Sequence, residues 1–481
     1  MRAREQDHAA RSFRMLGWLP EVLVVLLVVA AVGNGWYHLG HRWFGLPSPS
    51  TPSTTPAPSE PGLRLAPEGV APPVAGSSPG GTINPAAVRK ALAPYIGAAV
   101  LGKHVDVWVS QLSTGTVLYR HGTTAITPAS TMKLLTATAA LEVLGPMSRF
   151  STRVVRSGDH IVLVGGGDPF LASTARKARN LYPARADLGT LAARTAAALR
   201  ASGTRAVSLG YDSSAFTGPA VNPHWPAGYV SGGVVPPIGA LWADEGQNAQ
   251  GHYVPDPAGV AAADFATALR RAGVHVSGAV TPRKAPASYA QLAVVESAPL
   301  GQIVQHTLAV SDNNAAEVIL RHVGEKVSGD PSFTGGVAAV RTVLTRLGAD
   351  FSGSTQYDGS GLSRDNRLMP QLLLTVLGLI TSPAHPELRE ALTGLPVAGF
   401  TGSLQYRFDQ GPAAARGRIR AKTGTLTGVH GLAGVITDLH GNLMLFMMIT
   451  DRVPGPDQLL AQHDLDLMAA ALGACSCGSA S

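Results

Sequence analysis

The chain has 481 residues, more than a single hydrophobic core organises, so two or more folded units are expected. Hydrophobic residues make up 45% and charged residues only 14%, which excludes a disordered chain and a coiled coil. The formal charge is +7, yet the basic residues form nothing longer than pairs such as Arg270-Arg271 and do not interleave with aromatics, so no nucleic-acid partner is expected.

Arg2, Arg4, Arg11 and Arg14 precede an apolar stretch that runs from Trp18 to about Leu39. Two readings compete. A cleaved secretory signal has a basic start and an apolar run of roughly 7–15 residues. A retained anchor needs about 20 residues, and residues 18–39 supply that length with Trp18, Trp36 and Tyr37 as an aromatic belt. The belt favours the anchor. The expectation is therefore a cytoplasmic segment at 1–17, a transmembrane helix at 18–39 and a cell-membrane, single-pass protein whose folded part is extracytoplasmic (secreted if the segment is cleaved). Residues 40–83 are rich in Pro, Ser and Thr and lack apolar periodicity, so they read as a linker. Extended at ~3.1 Å per residue, such a spacer reaches on the order of 100 Å.

Farther along, residues 84–98 read as a helix, 104–112 as a strand by alternation, and 117–119 as its hairpin partner. Residues 130–144 carry the apolar spacing of a strong helix. At the other end, 418–422, 429–437 and 443–450 read as strands and 456–472 as a helix. Hairpin strands at both ends predict one antiparallel sheet assembled from distant parts of the chain, with helices on its faces. The stretch 148–298 differs, with short β-like pieces and a single helical run near 257–272, and reads as an inserted domain. Cys475 and Cys477 lie at the C-terminal tip, where they build neither a disulfide framework nor a zinc site, and read as part of a frayed tail.

Chemistry concentrates in three places. Ser130 and Lys133 stand three residues apart at a helix start, hence on one face. A hydroxyl needs a base to become a nucleophile, and a lysine amine serves if burial or a second cation lowers its proton affinity. Ser311-Asp312-Asn313 opens an apolar helix with a hydroxyl and an amide. Lys422-Thr423-Gly424-Thr425 ends a strand, where Gly424 lets a ligand approach the backbone. Taken singly, each reads as a helix cap, a solvated lysine or a turn. The chain has only seven lysines, however, and two fall in this ordered set. The fifteen histidines show no ligand spacing, so no metal and no cofactor are expected.

The ordered trio Ser-x-x-Lys, Ser-x-Asn, Lys-Thr-Gly resembles penicillin-binding proteins and class A β-lactamases. Ser130 and Ser311 are 181 positions apart, and Gly165-Gly166-Gly167-Asp168-Pro169 and the run from Asp358 to Arg364 add further motifs. With these, the chain resembles the D-alanyl-D-alanine carboxypeptidase/endopeptidase family, the class C low-molecular-mass penicillin-binding proteins. The resemblance implies an α/β (α+β) fold: a β-lactamase/transpeptidase-like domain at 84–147 and 299–475, with a helical subdomain, and a β-rich inserted domain at 148–298. It implies that Ser130 forms an acyl-enzyme, Lys133 is the base, and Lys422 supplies the positive field that keeps Lys133 neutral. Ser311 would pass a proton to the leaving amine, and Asn313 would hold a substrate amide. Thr423 and Thr425 would bind a terminal carboxylate beside Gly424, and the N–H groups of Ser130 and Thr425 would form an oxyanion hole. Arg364 would bind the peptide side chain. Trp225 reads either as the match of a family tryptophan that contacts a diaminopimelate side chain or as a core residue, since Pro226-Ala227-Gly228 follows it where the family carries a carboxylate. Implied partners are peptidoglycan peptides ending in D-Ala-D-Ala, β-lactam antibiotics and, through the N-terminal helix, a membrane. The alternatives are a β-lactamase-like hydrolase and a non-catalytic wall-binding protein. No Glu-x-x-Leu-Asn segment lies between Ser311 and Lys422 to activate a deacylating water, which weighs against the first.

Overall fold

A computed structural model describes residues 81–479 of the chain. The expected segments 1–17 and 18–39 and the linker up to residue 80 lie outside the described residues. Among the described residues no helix is long and apolar enough to cross a membrane. The single-pass localisation is corrected accordingly, since no described element carries it. The linker also stops short of residue 83, because Ile83 is buried and bridges to Gly478.

Two five-stranded sheets organise the described residues. The first comprises β1 (Val105–Gln111), β2 (Val117–His121), β8 (Ile419–Leu426), β9 (Val429–Thr437) and β10 (Leu443–Thr450) in the order β2-β1-β10-β9-β8. All its pairings are antiparallel, as the two-ended hairpin pattern predicts. Every residue of β9 except Thr437 is buried, so this interior strand is covered on both faces and shows no alternation. Helix α1 (Pro85–Leu92) packs at the sheet beside the C-terminal helix. It ends six residues before the predicted 98 because Pro94 has no N–H to continue the ladder.

The predicted helix at 130–144 begins as a 3-10 turn, Ala129–Met132, and becomes α-helical as α2 from Lys133 to Leu144. Residues 133–141 of α2 are buried on every face, which makes it the central helix of the helical layer. The second sheet contains β3 (Ser151–Ser157), β4 (His160–Val164), β5 (Ala206–Asp212), β6 (His275–Pro282) and β7 (Ala290–Glu296). Its order is β6-β5-β4-β3-β7, with β4-β5 and β5-β6 parallel. Two helices, α3 (Leu188–Ala201) and α4 (Pro257–Arg271), pack with it. Only α4 was expected there. Asp187 caps α3 through Thr190 N, and Leu188, Leu191, Ala192, Thr195, Ala196 and Leu199 form its buried stripe.

Four further helices cover α2. They are α5 (Leu300–Val310), α6 (Asn313–Ser328), α7 (Phe333–Arg346) and α8 (Pro370–Thr381). The final helix, α9 (Gln458–Gly473), backs β9. Beyond it the tail is not frayed. Cys475 and Cys477 are disulfide-bonded to each other, Asn84 N donates to Cys477 O at 2.8 Å, and Cys477 is buried. The buried Asp438, in the β9–β10 turn, ties this tail down: its carboxylate accepts from His440 N, Asn442 N and Gly478 N, each at 2.9 Å.

Two substitutions test these supports. Asp438→Ala strands several buried N–H donors and is expected to cost about 3 kcal/mol in urea unfolding, with faster amide exchange at Gly478. Gly361 has φ +87° and a Cβ there would lie 1.8 Å from Ala129 O, so Gly361→Ala is expected to cost on the order of 2–4 kcal/mol, read as a lowered melting temperature.

Candidate active site

Ser130 is half-buried in the 3-10 turn that precedes α2, and Lys133 is the first residue of that helix. Pro128 and Ala129, with φ +45° at Ala129, turn the chain into the helix, and Thr131 Oγ1 donates to Pro128 O at 2.7 Å. Lys133 Nζ lies 2.9 Å from Ser130 Oγ, 2.7 Å from Asn313 Oδ1 and 2.8 Å from Ser360 O. A carbonyl oxygen and an amide oxygen only accept, so they take two of the N–H bonds. An ammonium gives its third proton to Ser130. A neutral amine instead turns its lone pair toward the Ser130 hydroxyl, and that bond reverses. The arrangement thus accommodates both protonation states of a base.

Asn313 reaches Lys133 because it opens α6, which Asp312 caps by accepting from Ala315 N at 3.0 Å. Ser311 ends α5 in the left-handed region, φ +63°, and this bend separates two helices with a single polar corner. Ser311 Oγ accepts from Lys422 Nζ at 2.8 Å. Lys422 Nζ also donates to Thr423 O at 2.9 Å. Gly424 has no room for a side chain: a Cβ would lie 2.9 Å from Pro128 O, so β8 sits directly against the Ser130 turn. Thr423 is buried and Thr425 exposed. The structure therefore brings Ser130, Lys133 and Asn313 into one contact chain and Ser311, Lys422 and Thr423 into another, with Ser311 and Asn313 two residues apart. The two amines bond different hydroxyls.

Burial pushes the Lys133 ammonium down to about 8, against the upward pull of Glu317, Asp312 and Asp358. Lys422 is held well below its ordinary value by burial first, then by Lys133 and Arg407. Enclosure is the largest influence on both amines.

Arg364 is exposed and donates from Nη2 to Thr427 O at 2.6 Å, in the turn that follows Thr425. With Thr127, Arg367 and Arg452 it lines a polar cavity of about 160 Å³. Trp225 is 6% exposed, its indole N–H donates to Asp358 Oδ2 at 2.9 Å, and its ring meets Phe333 edge-on. These contacts favour the core alternative, in which it braces the Asp358 loop.

Three contributors were not singled out from the sequence. The Ser360 carbonyl lies inside the run from Asp358 to Arg364, and backbone acceptors leave no mark in sequence. Ser403 Oγ lies 2.9 Å from Thr423 Oγ1, in a loop without any periodic signal. Glu317 is fully buried one turn after Asn313. Its signal was present, since it is a lone acid inside the apolar run Ala315 to Leu320.

The chain matches the D-Ala-D-Ala carboxypeptidase 3 (S13) family over residues 88–251 and 247–472. It is 36% identical over 405 residues to a carboxypeptidase of Mycobacterium tuberculosis, covering 82% of this chain and 86% of that one. It is 33% identical over 472 residues to the carboxypeptidase DacB of Mycolicibacterium smegmatis, covering 95% and 97%. In fold it is similar to penicillin-binding protein 4 (DacB) of Haemophilus influenzae, with a TM-score of 0.66 at 22% identity over 80% of this chain and 98% of that one. Helices on an antiparallel sheet, a second sheet between Ser151 and Glu296, and these matches together assign the chain to the D-Ala-D-Ala carboxypeptidase 3 (S13) family.

Proposed function

We propose that the chain is a serine D-alanyl-D-alanine carboxypeptidase/endopeptidase that hydrolyses peptidoglycan stem peptides through a Ser130 acyl-enzyme, and that β-lactams acylate the same hydroxyl. The observation that carries this reading is Ser130 Oγ held 2.9 Å from a buried amine whose other two contacts are obligate acceptors. Membership of the family supports the substrate class.

In this reading Lys133 takes the Ser130 proton as Oγ forms its bond to the penultimate carbonyl carbon. The C–N bond to the terminal D-alanine then breaks, and Ser311, bonded to Lys422, relays a proton to the departing amine. Lys422, Thr423 and Thr425 face the terminal carboxylate. Asn313 holds a substrate amide as well as Lys133, and Arg364 stands at the rim for the rest of the peptide. Water then attacks the ester carbon, its oxygen staying on the peptide and one proton returning to Ser130. The peptidase domain spans 84–147 and 299–475, and residues 148–298 form its inserted domain.

Intact-mass measurement after benzylpenicillin treatment tests the reading. One adduct is expected on the wild type and none on Ser130→Ala, and D-alanine is expected to be released from a peptide ending in D-Ala-D-Ala. An adduct that survives Ser130→Ala overturns it. Because the neutral amine is the active form, the acylation rate is expected to rise with pH, about tenfold per unit below about 8, and to level above it. Lys133→Ala is expected to lose about 10²–10⁴-fold in acylation rate without loss of fold.

A further inference from the structure

Helix α6 presents two polar side chains one turn apart, Asn313 and Glu317, on the face toward α2. Asn313 touches Lys133 directly. Glu317 does not, and it is fully enclosed. Both its oxygens accept backbone N–H groups: Oε1 from Ser360 N at 2.7 Å and Gly359 N at 3.1 Å, Oε2 from Gly359 N at 3.0 Å. The carbonyl end of the same short segment, Ser360 O, is the oxygen that accepts from Lys133 Nζ at 2.8 Å. The other carbonyl, Gly359 O, accepts from Thr136 Oγ1 at 2.8 Å, one turn along α2 from Lys133.

The segment has little freedom to reach this position by itself. A Cβ at Gly359 would lie 2.8 Å from Leu320 Cβ and 2.9 Å from Ala316 O, so the backbone is pressed onto α6 around Glu317. On its far side Asp358 accepts from Gly361 N, Ser363 N, Asn366 Nδ2 and Trp225 Nε1 at 2.6–2.9 Å. Asp358 thus closes the loop upon itself, whereas Glu317 is the contact that fastens it to α6. An enclosed carboxylate is costly and is retained where its hydrogen bonds and field are used.

We infer that Glu317 is a positioning residue for the acylation step: through the Gly359-Ser360 backbone it fixes the Ser360 carbonyl onto Lys133 Nζ. The charges around Lys133 are Glu317 and Asp312 of α6 and its cap, Asp358 of the loop and Lys422 of β8. Those around Glu317 are Asp358 and Arg321. Burial pushes the Glu317 carboxyl up, and so does Asp358, while the N–H donors of Gly359 and Ser360 favour the ionised form.

The inference rests on Ser130 as the nucleophile, so acylation of the wild type at Ser130 by benzylpenicillin is established first and its failure would concern that reading alone. The measurement is the second-order acylation rate against pH for wild type, Glu317→Gln and Glu317→Asp, normalised to protein folded by circular dichroism. Glu317→Gln keeps an acceptor oxygen at the same reach, and Oε1 alone takes both Ser360 N and Gly359 N, so its plateau rate is expected to stay within about tenfold of wild type. Glu317→Asp keeps the carboxyl but is one carbon too short to hold both N–H groups. It is expected to leave the limb near the wild-type pH and to lower the plateau rate on the order of 100-fold through displacement of the carbonyl. A Glu317→Asp plateau equal to wild type, or a Glu317→Gln loss as large as that of Glu317→Asp, overturns the inference. If Glu317→Gln does not fold, the Glu317→Asp plateau alone decides the positioning claim.

Discussion

Lys133 Nζ is surrounded by oxygens from Ser130, Asn313 and Ser360, and the last two lie 180 and 227 positions along the chain. Removing an amine from water disfavours its charged form, and this is the change that makes a lysine useful as a base. The same removal demands that every remaining proton find an acceptor. Both demands are met by one device, a buried helix packed against α5, α6, α7 and α8, with the amine at its first residue and the buried Thr136 and Thr138 hydroxyls bonded to backbone carbonyls. The apolar character of α2 is therefore part of the chemistry as well as of the core.

The second amine follows a different logic. Lys422 belongs to a strand, and its place is set by the pairing of β8 with β9 and by the close seat of Gly424 against Pro128. Its contact with Ser311 spans 111 positions. Sheet and helical layer thus each deliver one amine to one hydroxyl, and the left-handed bend at Ser311 joins the two systems.

Much of the site was legible in sequence because each motif is local. Ser130 and Lys133 share a helix face by spacing alone, and Ser311 and Asn313 flank a cap that the residue types announce. What joins the motifs was not legible, since those contacts cross more than a hundred positions. Trp225 shows the limit from another side: an aromatic residue in a Pro-rich loop carries no pattern that separates a buried brace from a ligand contact. In the second sheet the strands could be seen but their directions could not. Parallel β4-β5 and β5-β6 pairs require crossover connections, and α3 and α4 lie in those two connections. Leu188, Leu191, Ala192, Thr195, Ala196 and Leu199 carried the period of α3, but a run rich in small residues masks it.

The antiparallel sheet also sets an order of events during synthesis. β1 lies between β2 and β10, and near its start Thr450 Oγ1 donates to Leu101 O across 349 positions. Until the final strand leaves the ribosome, β1 therefore presents an open backbone edge, with apolar Val107 and Val109 awaiting their neighbours. The nascent chain carries that unpaired template from the emergence of β1 until β10 follows more than 300 residues later, and a pairing of such separation must close a long loop before it is rewarded.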